Sequence, residues 1–296
     1  MFRLRTRLFL PIAVLGLLAP WSAAQVVMAQ ISDCHIGQKL APRAAENLRK
    51  IVPMVNARHP DLVIVSGDIG EEVGYWEEAR KILGELKAPI HYLPGNHDVH
   101  ESDVERYRKV FGEDYYKFKV KNLTFYVIDS QLLGNYDPKH FNSEQVVPMT
   151  PPTEAESKKM LDWLENEAKA ARIPTGKQSR TGAAARRRGP VFAIQHIPIV
   201  RNGDFPNDPK PYWVINEPYR SRELELLRRL GVKEMFVGHW HQGMIYQANA
   251  ITFRVAPTIS GRLLFGGQTG FAMHTISPSG RVKTEFIALA DAESPK

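Results

Sequence analysis

The chain has a single cysteine in 296 residues, so no disulfide can close within it. It also lacks a long apolar run. The most apolar stretch, residues 8–18, is interrupted by Pro11 and is too short for a comfortable membrane span of ~20 residues. No internal repeat is evident, which argues against solenoids and arrays. The composition is that of an ordinary globular protein, 43% hydrophobic and 24% charged, with length for one large core. The net charge of +7 is concentrated rather than spread. Part of it lies in residues 172–188, which hold Arg172, Lys177, Arg180, Arg186, Arg187 and Arg188 and no acid. Glycine, serine, threonine and alanine fill the rest, so the segment reads as a basic insertion loop near 172–189. No aromatic residue interleaves these cations, as single-stranded nucleic acid would favour. No nucleic-acid partner is therefore expected.

The N-terminus has the layout of a secretory signal. Arg3, Arg5 and Arg7 precede the apolar stretch, and Ser22-Ala23-Ala24 supplies small residues for cleavage. The expectation is a signal peptide over 1–24, a single domain over 25–296, and an exported product, periplasmic or secreted. Cleavage there leaves almost nothing before the first strand. The alternative is an uncleaved N-terminal anchor, the one route by which a membrane would be a partner.

What the chain does have is a recurring event. Apolar runs that read as buried strands are followed at once by metal-ligating residue types: Asp33-Cys34-His35, Gly67-Asp68, Gly95-Asn96-His97-Asp98, Gln195-His196, and Gly238-His239 with His241. One such case is unremarkable; five place carboxylates, an amide and imidazoles along one sheet edge, where open α/β folds bind ligands. The nitrogen and oxygen donors suffice for two divalent metals. In an extended strand end, residues i and i+2 point the same way, so Asp33 with His35, and His239 with His241, should each face one site. Asp68, alone after its strand, is the best bridging carboxylate. Glycines 67, 95 and 238 precede ligands, as expected where backbone turns tightly or approaches a ligand. Cys34 should point the other way, into the core.

The order D-x-H, G-D, G-N-H-D, H, G-H-x-H resembles the calcineurin-like metallophosphoesterase superfamily, residue for residue from Asp33 to His241. A chance G-N-H-D alone in a chain of this length is on the order of one in a thousand. The resemblance implies a four-layer α/β/β/α sandwich of two mixed sheets flanked by helices. It implies a first metal held by Asp33, His35, Asp68 and His241, and a second by Asp68, Asn96, His196 and His239, the ions being manganese, iron or zinc. It leaves His97 to face the substrate as proton donor, with Asp98 orienting it. Asp129-Ser130-Gln131-Leu132, Trp163-Leu164, Gln195-His196-Ile197-Pro198-Ile199 and Phe236-Val237-Gly238-His239-Trp240-His241 further resemble the calcineurin-like phosphoesterase domain-containing proteins, a group that includes serine/threonine phosphatases. Purple acid phosphatases carry a tyrosine ligand three residues after the bridging Asp. Here that position is Glu71, so the tyrosinate–iron colour should be absent.

The implied chemistry is hydrolysis of a phosphate ester. Two ions ~3.5–4 Å apart grip the phosphoryl oxygens and acidify a bridging water, whose hydroxide attacks in line. Phosphomonoesters are the leading substrates, phosphodiesters the runner-up, and an inactive metal-binding scaffold the non-enzymatic alternative. Arg201 and Asn202 could touch a phosphate. Tyr212 and Trp213 either wall the cleft or pack its loop. His59, His91, His100, His140 and His274 are read as structural. Periodicity predicts helices over 42–58 (with Pro53 a kink or break), 75–87, 102–111 (capped by Ser102), 153–171 and 219–230, and antiparallel strands after 244.

Overall fold

A computed structural model describes residues 25–100, 104–171, 189–261 and 264–290. The expected signal peptide, the Ser102 cap and the basic loop over 172–188 lie outside these residues.

The first half alternates strand and helix: β1 (Val26–Ile31), α1 (Ala44–Asn56), β2 (Leu62–Ser66), α2 (Val73–Leu83) and β3 (Ile90–Leu93). Then come α3 (Val104–Phe111) and the hairpin β4 (Tyr116–Val120) and β5 (Leu123–Val127). A second alternation follows in α4 (Pro151–Ala171), β6 (Val191–Ile194), α5 (Tyr219–Leu230) and β7 (Glu234–Val237). The chain closes with β8 (Met244–Ala248), β9 (Ile251–Val255), β10 (Gly270–Ile276) and β11 (Val282–Ala288).

These strands form two mixed sheets, ordered β11-β10-β1-β2-β3 and β4-β5-β6-β7-β9-β8. The central strands of each are parallel, and the hairpin strands at the edges run antiparallel. Alternation along each strand divides the core into layers. Val26, Met28, Leu62 and Ile64 of the first sheet meet Phe125, Phe192, Ile194 and Phe236 of the second. On the opposite faces Val63 and Val65 pack with Leu48 and Ile51 of α1. Helices therefore cover the outside, as expected from the resemblance. One polar line crosses the inter-sheet core. Gln30 donates to Ser66 Oγ (2.9 Å) and to the Val237 carbonyl (3.1 Å), and its Oε1 meets His274 Nε2 (3.1 Å).

Helix boundaries shift from expectation by two to four residues, α2 spanning Val73–Leu83 rather than 75–87. Pro53 does not break α1, which runs on to Asn56. Pro53 is exposed, so the carbonyl it cannot satisfy faces water, while Val52 and Val55 hold the opposite face in the core. Helix α4 starts at Pro151, two residues early, because proline is well suited to a first helical turn.

Candidate dinuclear metal centre

The parallel strands of both sheets end on the same side of the molecule, and the loops leaving them carry the ligand residue types. Asp33 and His35 follow β1, Asp68 follows β2, and Asn96 and His97 follow β3; His196 follows β6, and His239 and His241 follow β7. The two sheets are laced together here. His239 N donates to both oxygens of Asp33 (3.1 and 3.2 Å), and His196 Nδ1 meets the Ser66 carbonyl at 2.8 Å.

The pairs face one site, but not by extended pleating. Asp33, His35, Asp68, His239 and His241 all have positive φ, between 47° and 68°. Left-handed backbone is costly for residues with a Cβ, and a run of it marks a place where function over-determines conformation. The glycines beside them are required by close approach. A Cβ at Gly67 would lie 2.5 Å from His196 Nδ1, and one at Gly95 would collide with Asp68. Cys34, between two of these residues, points into the apolar core, where burial pushes its thiol up.

Donor atoms converge in two groups sharing Asp68. Asp33, His35, Asp68 and His241 offer atoms all within 4.8 Å of one another, as do Asp68, His196 and His239. In the first, His35 Nε2 and His241 Nε2 face each other at 3.0 Å, and His241 Nε2 is 3.2 Å from Asp33 Oδ1. Two ligands ~2.1 Å from one ion at right angles would be about 3 Å apart. In the second, His196 Nε2 lies 3.2 Å from Asp68 Oδ2 without the alignment of a hydrogen bond. Asn96 Oδ1 is likewise buried and unpaired. Buried polar atoms are seldom left so, and a cation would satisfy both.

Each ring is held by its other nitrogen or by its neighbours, which fixes the tautomer a metal ligand needs. His35 Nδ1 bonds Glu71 Oε1 (3.0 Å), and His239 Nε2 meets the Tyr212 carbonyl (3.1 Å). The Tyr212 hydroxyl accepts from Asn96 Nδ2 at 2.6 Å, which fixes the amide and leaves its oxygen as the unpaired atom. Electrostatics favour ionised carboxylate and, at His35 and His239, neutral imidazole, the ligating forms; at His196 burial pulls the imidazole down, but Asp68 and Asp33 outweigh it and push it up to about 9, so an ion would have to displace a proton there. Burial, with His97 nearby, pulls His35 down to about 4; burial and His196 pull His239 down to about 3. Burial pushes the Asp68 carboxyl up, but the imidazoles of His196, His97 and His35 outweigh it and hold it well below its usual range.

His97 sits beside the cluster, lining a cavity of about 230 Å³. Its Nδ1 bonds Glu71 Oε2 at 3.0 Å. Asp98, expected to orient His97, is bonded to the backbone of the flanking loops. Its carboxylate accepts from the backbone N–H of Ile69, Gly70 and Gly95 and from Trp76 Nε1, so it ties the β2 and β3 loops together. Glu71 is the functional residue that sequence reasoning missed, noticed there only as the replacement for a tyrosine. Burial pushes its carboxyl up, but hydrogen bonds from His35 and His97 outweigh that and hold it at about 2.

Of the remaining candidates, Arg201 is a loop tie. Its guanidinium donates to the carbonyls of Pro206, Asp208 and Lys210. Tyr212 and Trp213 both wall the cavity and anchor its loop: the Trp213 carbonyl accepts from the indole of fully buried Trp240 at 2.9 Å.

The profile of the calcineurin-like phosphoesterase family matches residues 27–243. The chain belongs to that family. It is 23% identical over 250 residues to the serine/threonine-protein phosphatase CPPED1 of Danio rerio, covering 77% of this chain and 67% of that one. It is 30% identical to the 3',5'-cyclic adenosine monophosphate phosphodiesterase CpdA of Pseudomonas aeruginosa, over 91 residues that make up 28% of this chain and 34% of that one. Among solved structures, a dimetal phosphatase from Danio rerio superposes with a TM-score of 0.56 at 15% identity, over 89% of this chain and 98% of that one. That likeness shows the shared fold.

Proposed function

We propose that the protein hydrolyses phosphomonoesters at a dinuclear metal centre. The observation that carries this reading is the pair of donor clusters joined by Asp68, with Asn96 Oδ1 and His196 Nε2 buried and unpaired at its edge. Asp33, His35, Asp68 and His241 would hold one ion, and Asp68, Asn96, His196 and His239 the other. When bound, the ions supply Lewis-acid polarisation of the phosphoryl oxygens and a water acidic enough to serve as nucleophile near neutral pH.

The remaining work falls to the chain's own groups. Glu71 accepts from His97 Nδ1, which leaves Nε2 to carry the proton given to the leaving oxygen. The same carboxylate braces His35 through its other oxygen, so the acid and a ligand are held by one side chain. Asp98 fixes the spacing of the loops that carry Asp68 and His97. Tyr212 orients Asn96.

Phosphodiester hydrolysis is the second reading, favoured by the similarity to the cyclic AMP phosphodiesterase. The same residues would serve it. Residues 25–296 are proposed as one catalytic domain behind a removable leader, giving an exported enzyme. Among the described residues no helix is long and apolar enough to cross a membrane. The deciding experiment assays p-nitrophenyl phosphate, bis-p-nitrophenyl phosphate and cyclic AMP with protein loaded with manganese, iron or zinc. The monoester should be turned over fastest. Preference for either diester would move the assignment to the second reading, and turnover of none with two ions bound would end both. Intact mass of the product from an exporting host should begin near Gln25.

A further inference from the structure

The cavity over the metal centre has two unlike sides. One is the polar floor of His35, Asp68, His97, His239 and His241. The other is apolar and is given no task by the chemistry above: Leu40, Pro138, Phe141, Tyr212, Trp213 and Leu264. Among the described residues Gln38 is the one further polar residue lining it, and no lysine or arginine does so. We propose that this wall is the leaving-group subsite, and that the substrates are phosphate esters of hydrophobic alcohols, alkyl or aryl. The inference rests on the phosphoesterase reading.

Three observations support it. First, the wall is built in advance. Phe141 meets Tyr212 and Trp213 edge-on at 5.3 and 5.5 Å, the Tyr212 hydroxyl is bonded to Asn96, and the Trp213 carbonyl to Trp240. It is therefore rigidly placed relative to the second donor cluster, and a group resting on it stays in register with the scissile bond. Second, Leu40 is 70% exposed, although it lines the cavity. Apolar surface left in water beside a reactive centre gains by being covered, and an apolar leaving group covers it. Third, a second phosphate or an acidic peptide flank would be recognised by guanidinium or ammonium groups. The described lining offers none; Lys210 Nζ lies 5.9 Å from the Phe141 ring centroid but is paired with Asp208 at 3.2 Å, so an uncharged leaving group is favoured.

The test is kcat/KM for methyl, butyl, hexyl and octyl phosphate, with p-nitrophenyl phosphate as reference, on the metal-loaded full chain. The leaving alcohols in this series have nearly the same acidity, so chemistry is constant while apolar area grows. Wild-type kcat/KM should rise about threefold per methylene until the wall is covered. Leu40→Ser, on an exposed side chain whose replacement leaves the fold intact, should lower the octyl-to-methyl ratio about fivefold, and Phe141→Ala should lower it further. Hydrolysis of every ester at equal kcat/KM, or an unchanged ratio in both variants, would overturn the subsite and leave the phosphoesterase reading standing. Hydrolysis of none, p-nitrophenyl phosphate included, overturns both.

Discussion

Glu71 takes two imidazole nitrogens on one carboxylate, His35 on Oε1 and His97 on Oε2, each at 3.0 Å. The two rings meet edge to face with centroids 4.5 Å apart. A change at His97 should therefore be felt in proton transfer rather than in metal retention, because His35 keeps its own oxygen. His97→Ala is expected to retain both ions and to lower kcat by roughly 10²–10⁴-fold. The loss should be small for p-nitrophenyl phosphate, whose leaving group needs little protonation, and large for alkyl phosphates. Equal losses for both would make His97 a charge clamp on the phosphoryl oxygens, and loss of metal would make it a ligand. Tyr212 supports the opposite end of the site. Without its hydroxyl the Asn96 amide loses the contact that aims Oδ1. Tyr212→Phe should weaken one of the two ions about 10–100-fold, the usual effect of removing a group that orients a ligand. Metal analysis after dialysis would then fall from near two ions per chain toward one; retention of both under the same dialysis would discount the contact.

At the scale of elements, strands end in the αL turns that the ligands occupy, and a polar line between the sheets keeps those ends level. His274 on β10 is part of that line, bonded to Gln30 and, through Nδ1, to Thr284 (2.9 Å). Burial, helped by Arg254, pulls its imidazole down to about 3. The folded pKa lies below the unfolded value near 6.5, so the unfolded chain binds the proton more tightly. The associated stability is fully present above about pH 6.5 and is lost as the pH falls toward 3. The stability difference between wild type and His274→Gln should accordingly shrink by about 1 kcal/mol between pH 6 and pH 5. Urea titrations at the two pH values measure it; a difference that stays constant would mean that His274 is already protonated in the fold.

Over the whole molecule, the donor clusters sit on the seam between the sheets. Asp33, His35, Asp68 and Asn96 come from loops of the first sheet, and His196, His239 and His241 from loops of the second. Ions bound there would staple the two halves together and would have no comparable site in the unfolded chain. With free metal a thousandfold above its Kd, the stabilisation is about 4 kcal/mol. Chelation should thus lower Tm on the order of 10 °C in a chain of this size. A calorimetric scan showing the same Tm with and without chelator would place the ions away from the seam.

The candidate ligand residues were legible in the sequence because they fall in short polar words, each attached to an apolar run. Asp33, His35, Asp68, Asn96, His97, His196, His239 and His241 could be picked out without coordinates, as could the two-sheet fold, since strand–helix alternation and antiparallel closure are local patterns. Side-chain direction was not legible. Positive φ at Asp33, His35, Asp68, His239 and His241 is set by hydrogen bonds between loops some 30 to 200 residues apart, because the enrichment of Asp and His in αL backbone is too weak a local preference to place them there. Long-range contacts likewise set the surroundings of Glu71 and Asp98. Asp98 is captured by the backbone of the β2 loop, and Glu71 is carried to His97 by the same loop. Pro53 read as a kink or a break, and burial of Val52 and Val55 on the opposite face goes with a helix that runs through it. The sequence by itself determined which atoms are available and along which edge, because residue type and strand period are properties of a few neighbouring positions. Which atoms meet, and which side of the cavity stays apolar, was decided by the tertiary structure, because Leu40, Phe141, Tyr212 and Leu264 become neighbours only when both sheets are packed.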